Sequence, residues 1–161
     1  MLVKTFGSAV YGVDAATITV EVSVEGGQHY FMVGLPDNAV KESMFRISTA
    51  LKHSGYENPR RRIVINLSPA DIKKEGTAYD LTMAVGIIAA SGQLQNYEVL
   101  SQYIIMGELS LDGAIRPVRG ALSMEKVRAD VFNVIGVIDG DRSEEHTSEL
   151  QSHLNLVCRL L

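Results

Sequence analysis

The sequence predicts an α+β two-layer domain, a sheet packed by helices on one face, and three observations carry that reading. Residues Ala16 to Val24 alternate strictly between apolar and polar; Val40, Met44, Ile47 and Leu51 recur at helical spacing; and strands lead the chain before β and α segments alternate. The 161 residues are 46% hydrophobic and 21% charged, a balance that excludes disordered, collagen-like and coiled-coil chains and matches the size of one domain.

In chain order, Leu2 to Phe6 supplies a first strand. Ile18, Val20, Val22 and Val24 then form the buried face of a second, with Thr17, Thr19, Glu21 and Ser23 on its other side. Gly26-Gly27 is a hairpin signal, so Tyr30 to Val33 is expected to fold back antiparallel onto that strand. Asp37 or Asn38 can cap a helix that Gly55 closes. Ile63 to Leu67 is a β-branched run that reads as a buried strand, and Ser68 to Tyr79 is a polar, irregular connection. Asp80 is placed to cap a second helix with Leu81, Ala84, Val85 and Ile88 on one stripe. Tyr103 to Met106 is the next strand, and Asp112-Gly113 turns a hairpin between Leu109–Leu111 and Ile115. A third helix from about Ala121 to Asp130 leads to a strand at Val134 to Ile138.

Composition narrows function by exclusion. The longest unbroken apolar run, Met83 to Ala90, falls far short of the roughly 20 residues of a spanning helix. Thr5, Gly7, Ser8 and the Tyr11-Gly12 pair leave no apolar stretch for a secretory signal, so a cytoplasmic location and no membrane partner are expected. One cysteine, Cys158, is too few for an internal disulfide or a Cys-rich zinc site, and a net charge of −4 removes the bulk electrostatic case for a nucleic-acid binder.

The last twenty residues, Arg142 to Leu161, read differently from the rest. Arg142 to Ser152 matches, over eleven consecutive residues, the in-frame translation of a common sequencing-library adapter. Residues 142–161 are therefore expected to be a non-native tail without fixed structure, and residues 1–141 a truncated domain from the front of a longer protein. A genuine amphipathic helix, with Leu150, Leu154 and Val157 aligned, is the alternative.

No Gly-x-x-x-x-Gly-Lys-[Ser/Thr] occurs, so the sequence lacks the backbone cradle and lysine that hold nucleotide phosphates. Gly-x-Ser-x-Gly and His-Glu-x-x-His are also absent, and His29 and His53 are too far apart in sequence to suggest a metal pair, so no metal ligand set is expected. Two surfaces remain. The connection from Ser68 to Asp80 concentrates Ser68, Asp71, Lys73, Lys74, Glu75, Thr77 and Asp80 between a strand and a helix start, where side chains can reach a partner. Its plainer reading is a solvated loop with Lys73, Lys74 and Glu75 facing water. Arg60, Arg61 and Arg62, with Lys52 and His53 upstream, form the one dense positive patch; they can contact DNA phosphates, although a solvated loop is the commoner explanation.

Four stretches carry a resemblance. Gly7 to Ala15, Val33-Gly34-Leu35-Pro36-Asp37 through Ser43, Asn66 to Asp71 with Tyr79-Asp80-Leu81, and Gly107 to Gly113 with Arg116-Pro117-Val118 resemble, in the correct order, the N-terminal domain of the magnesium-chelatase-like AAA+ ATPases, the YifB/ComM family. The resemblance covers residues 1–141. It implies a fold similar to the Lon protease domain, the ribosomal protein S5 domain 2-like class, followed in the parent by an ATPase module. ATP and magnesium would bind to that module, not to this fragment. The parent would be a ring-forming homo-oligomeric motor in DNA processing, of the branch-migration or helicase type, and this domain would sit beside its own AAA+ module.

Lon-type proteases use a Ser-Lys dyad, with the serine in Lys-Asp-Gly-Pro-Ser-Ala-Gly. The matching residues here are Lys74-Glu75-Gly76-Thr77-Ala78-Tyr79-Asp80, which put Ala78 at the nucleophile, while the dyad lysine would fall near Leu122 or Ser123. The resemblance therefore implies a noncatalytic fragment of an ATPase. The alternatives are a serine/threonine peptidase using Thr77 or Ser123, and a stand-alone DNA-binding module.

Overall fold

The computed structural model describes residues 1–11, 14–118 and 133–136. Strands β1 (Leu2–Tyr11), β2 (Asp14–Glu25), β3 (Tyr30–Val33), β4 (Arg62–Ser68), β5 (Tyr103–Met106) and β8 (Asn133–Gly136) form one mixed sheet in the order β3-β4-β2-β1-β5-β8. A two-stranded ribbon of β6 (Glu108–Leu109) and β7 (Ile115–Arg116) stands beside it. Helix α1 (Asn38–His53) follows β3, and helix α2 (Asp80–Ala90) follows β4. The expected third helix and the tail from Arg142 lie outside the described residues. The architecture is α+β with a mixed sheet and helices.

β1 pairs antiparallel with β2 along its whole length, from Leu2↔Ser23 to Tyr11↔Asp14, so the first strand runs five residues past Phe6. Gly7, within the extension, is closely packed: a β-carbon there would meet the Met106 sulfur at 3.2 Å and the Tyr79 ring at 3.3 Å. The hairpin expected at Gly26-Gly27 does not form. β4 lies between β2 and β3, antiparallel to β2 from Thr19↔Ser68 to Glu25↔Arg62 and parallel to β3 from Tyr30↔Ile63. The two runs differ in what they bury. Ile63, Ile65 and Leu67 are buried, whereas Tyr30, Phe31 and Val33 are half exposed. Burial therefore places β4 inside the sheet and leaves β3 at the rim. The Gly26-Gly27 segment crosses the start of β4, where a β-carbon on Gly27 would sit 3.2 Å from that of Arg62.

α1 is amphipathic as its spacing predicts, with Val40, Ile47, Ala50 and Leu51 buried and Ser43 buried among them, while Met44 is only partly covered. Asp37 is its N-cap, accepting from the Val40 amide at 2.8 Å, and Gly55 at φ +82° follows its end. α2 departs from expectation twice. Its N-cap is Tyr79, and every one of its residues is buried, so it has no polar face. A helix apolar all round is one that packs on every side. Gly86 lets it approach: a β-carbon there would stand 2.7 Å from Val22 Cγ2, and Thr5 Oγ1 donates to the Thr82 carbonyl at 3.0 Å. α2 thus presses on β1 and β2, with α1 packed against it.

Among the described residues, no helix is long and apolar enough to cross a membrane.

Candidate functional site

The sheet's two ends carry the two surfaces expected from sequence. β4 starts at Arg62, beside the arginines, and ends at Ser68, where the polar loop begins. At a strand rise of about 3.3 Å per residue the two surfaces lie roughly 20 Å apart. They are separate sites.

At the loop end, two connections are stitched together. Gly34, at φ +97°, lies so close to β4 that a β-carbon would fall 2.0 Å from the Leu67 carbonyl oxygen. This seats Gly34-Leu35-Pro36-Asp37 directly over the strand's end. The Lys74 amide donates to the Leu35 carbonyl at 3.1 Å, and the Asp37 amide donates to the Lys74 carbonyl at 3.0 Å. The Asp37 carboxylate, besides capping α1, accepts from the Gly76 amide at 3.1 Å.

Lys74 does not face water. It is fully buried, and its ammonium donates to the Gly34 carbonyl at 2.9 Å and to the Pro69 carbonyl. Burial pushes its pKa below the ordinary lysine value, and the negative charge of Asp71 partly offsets that. The expectation of a solvated Lys73-Lys74-Glu75 run holds only for its outer members, since Lys73 and Glu75 pair with each other at the surface at 2.5 Å. Strand-like pairing of Lys74 with the 34–37 segment turns its side chain inward, away from its neighbours.

Asp80 is buried as well, and its carboxylate is used for a different purpose than capping. Arg46, from α1, grips it with two hydrogen bonds: Nε to Oδ2 at 2.7 Å and Nη2 to Oδ1 at 2.9 Å. The same guanidinium reaches the Ala39 carbonyl at 3.0 Å, and the Leu109 amide adds a third donor to Asp80 at 3.3 Å. Burial pushes the Asp80 carboxyl up from its ordinary value, while the hydrogen bonds and charge of Arg46 pull it back; Arg46 itself is held above its usual value, chiefly by its bond to Asp80. The three donors favour the ionised form of Asp80, against its burial and the nearby charge of Glu108.

Thr77 Oγ1 donates to Glu108 Oε2 at 2.5 Å, and Arg116 lies 3.9 Å from the other oxygen of that carboxylate. Ala78, at the position matching the Lon nucleophile, is half buried, and its carbonyl accepts from the Gly107 amide at 2.9 Å. Thr77 faces a carboxylate and Lys74 faces two carbonyls, so neither completes a hydroxyl–amine dyad with the other. Leu122 and Ser123 lie outside the described residues. Of the remaining candidates, Asp71 is exposed and Ser68 half buried. Among the described residues no group of three or more His, Cys, Asp or Glu side chains is placed to hold a metal ion.

Three participants escaped the sequence reading: Arg46, Asp37 as a two-way link, and Glu108. Arg46 follows Phe45 on a helix whose buried stripe includes Ser43 and Ile47, a charge at the margin of an apolar face. Nothing local reveals that its partner lies 34 residues away.

At the other end, Arg60 and Arg61 are exposed, as are Lys52 and His53. Arg62 is different, since it pairs with Glu25 across the β2–β4 register at 2.8 Å. The Glu25 carboxyl is held below its ordinary value, first by a hydrogen bond from Ser23 and then by the charge of Arg62. The patch therefore presents two arginines uncommitted to Glu25 and one neutralised by it.

The family model for subunit ChlI of magnesium chelatase matches residues 20–137. The chain is 41% identical to YifB of Escherichia coli (strain K12) over 164 aligned residues, covering 95% of this chain and 31% of that protein. Against YifB of Salmonella typhimurium the identity is 42% over 159 residues, with the same 95% and 31% coverage. It is 41% identical to competence protein ComM of Haemophilus influenzae over 122 residues, covering 75% of this chain and 24% of the relative. The chain spans about a third or less of these relatives' length.

Proposed function

Since the chain belongs to the magnesium-chelatase-like YifB/ComM family, we propose that it is the noncatalytic N-terminal domain of an AAA+ ATPase. Its fold on this reading is Lon-protease-like, of the ribosomal protein S5 domain 2-like class. The intact parent is a ring-forming, cytoplasmic, ATP-dependent motor in DNA processing, of the branch-migration or helicase type. The word competence in the Haemophilus influenzae relative's name supports a DNA-handling role.

One observation carries the noncatalytic reading. The position matching the Lon nucleophile is Ala78, and the ionisable side chains around it are spent on internal links: Lys74 on two carbonyls, Asp80 on Arg46, Glu108 on Thr77. A peptidase needs its hydroxyl activated by a nearby base and its site open to a peptide. Here the polar groups hold β4, α1, α2 and β6 in fixed relation. The domain's contribution to the parent is then mechanical, a rigid body beside its own AAA+ module. ATP and magnesium belong to that module's phosphate-binding loop, a motif the present 161 residues do not contain.

The test is direct. A fluorophosphonate probe and a casein digest applied to the full chain are expected to give neither labelling nor cleavage, and Ala78→Ser alone is expected to restore neither. Labelling at Thr77 or Ser123 would overturn the assignment. Continuation of the genomic reading frame after Asp141 into Gly-x-x-x-x-Gly-Lys-[Ser/Thr] supports both the parent and the foreign origin of residues 142–161; a stop codon directly after Leu161 counts against them.

A second reading, direct DNA contact, is favoured by the exposure of Arg60 and Arg61. Each phosphate contact steepens the salt dependence of binding by a slope of about 0.9 on duplex and about 0.7 on single strands. Filter binding to branched and single-stranded DNA should weaken in the Arg60, Arg61, Arg62 triple alanine variant. Equal binding removes the patch from consideration.

A further inference from the structure

The register of β3 on β4 brings two distant stretches of the chain side by side. Tyr30 lies opposite Ile63, so His29 stands next to Arg62 where the two strands begin, and the Ile63 amide donates to the His29 carbonyl at 3.0 Å. The Asn58 side-chain amide donates to the Tyr30 hydroxyl at 3.2 Å, which ties the segment leading into Arg60 and Arg61 to β3. Parity then sorts the side chains. Ile65 shares its face with Val22, against which α2 packs, and with the partly buried Met32. Phe31, paired with Val64, therefore lies on the opposite face, as do His29 and Arg62. Phe31 is 50% exposed and His29 is exposed; their ring centroids are 6.3 Å apart and their planes 36° from parallel. The arginine run contains no aromatic residue of its own, and the fold supplies two.

We propose that this rim is a binding site for single-stranded DNA, an inference that rests on the reading of direct DNA contact above and names the form of DNA held. His29 and Phe31 stack against bases, while Arg60 and Arg61 take the phosphates. An exposed ring accepts the π face of any base, and a basic border beside it tracks the backbone. Bases in a duplex are parallel and about 3.4 Å apart, so each is covered by the next. Rings 6.3 Å apart and tilted by 36° cannot both be capped by neighbours in one continuous stack. A single strand can splay its bases to meet them. Charge sets the path. Glu21 and Glu25 share this face farther in, on β2, where they repel phosphates even though they are paired with Lys4 and Arg62. The bound strand therefore follows β3 and the arginines and does not cross the sheet.

Fluorescence anisotropy of the full chain at low salt, with an oligothymidine of about 16 nucleotides and with a duplex of equal length, tests this. Phe31→Ala should weaken binding of the oligothymidine by at least about fivefold, leaving duplex binding, the salt slope and circular dichroism unchanged. The Arg60→Ala, Arg61→Ala double variant should instead flatten the salt dependence on both forms. If the arginine variant weakens binding and Phe31→Ala does not, stacking is rejected while direct DNA contact stands. If wild type binds neither form, both are rejected. A Phe31→Ala loss that is equal on the two forms also overturns the site.

Should Phe31→Ala unfold, a conservative variant decides. The chain contains no tryptophan, so Phe31→Trp places a lone emitter at the site. It should retain affinity for oligothymidine, and its emission should be quenched as the oligonucleotide saturates. Emission that stays unchanged at saturation overturns the proposal.

Discussion

Both ends of β4 bear charged side chains, but only the Ser68 end buries any of them. At the Ser68 end Lys74 and Asp80 point inward and are matched by carbonyls or by Arg46. At the Arg62 end Arg60 and Arg61 point outward, and even the paired Arg62–Glu25 couple is about half exposed. What separates them is the backbone that follows. The loop end is roofed by the 34–37 segment and by the β6–β7 ribbon, so any charge there must be paired to be buried. The arginine end precedes its strand in an exposed connection, where Arg60 and Arg61 need no buried partner. Charge density in sequence thus says little about availability for binding.

The comparison can be broken most forcefully at Asp80. Asp80→Ala strands a guanidinium and the Leu109 amide, and loss of one partner of a buried pair typically costs about 3 to 5 kcal/mol. Urea unfolding followed by circular dichroism should show a loss of that order; a change below about 1 kcal/mol would mean that Asp80 is not held as described. Gly34→Ala comes next. It combines a left-handed φ with a backbone collision against Leu67, so a loss of at least about 2 kcal/mol is expected by the same measurement.

Lys74 offers a pH test with a definite sign. Its folded pKa lies below the ordinary 10.5, so in the window between the two the unfolded chain binds more protons and stability rises with pH. Below the folded pKa that contribution is flat. Lys73 works in the other direction, since Glu75 holds its pKa up, so wild type must be compared with a Lys74→Met variant that keeps Lys73. The wild-type curve of urea midpoint against pH should climb relative to the variant's on the alkaline side; parallel curves would place the Lys74 amine in water. The smallest effect belongs to the arginine end. Arg62→Ala should leave the urea midpoint within error, because exposed pairs contribute little. In DNA binding it should change the salt slope less than Arg60→Ala or Arg61→Ala, each worth about one unit.

Much of the site was legible one residue at a time. Asp37 before an apolar periodic run reads as a helix cap and is one. Ser68 to Asp80 reads as the chemically dense connection and is the segment that ties β4, α1 and α2 together. What the sequence could not convey is direction. Lys73, Lys74 and Glu75 are indistinguishable as a polar run, and only the pairing of Lys74 with Leu35 and Asp37 turns one of the three inward. Arg46 and Asp80 lie 34 residues apart, so no periodicity links them.

The same division runs through the fold. The alternation of β2, the stripe of α1 and the turn glycines are local patterns, each fixed by sterics and by one buried face, and they determined which segments became strands and helices. Strand order and depth of burial were decided by the tertiary structure. Gly26-Gly27 favours a hairpin locally, yet the longer β4, which buries Ile63, Ile65 and Leu67, took the place beside β2 and moved β3 to the rim. α2 shows a one-sided stripe in sequence, yet it is covered on all sides because the sheet, α1 and the β5–β6 segment converge on it. A side-chain pattern records the face a segment prefers. Which neighbour meets that face depends on competition for buried area among segments distant in sequence.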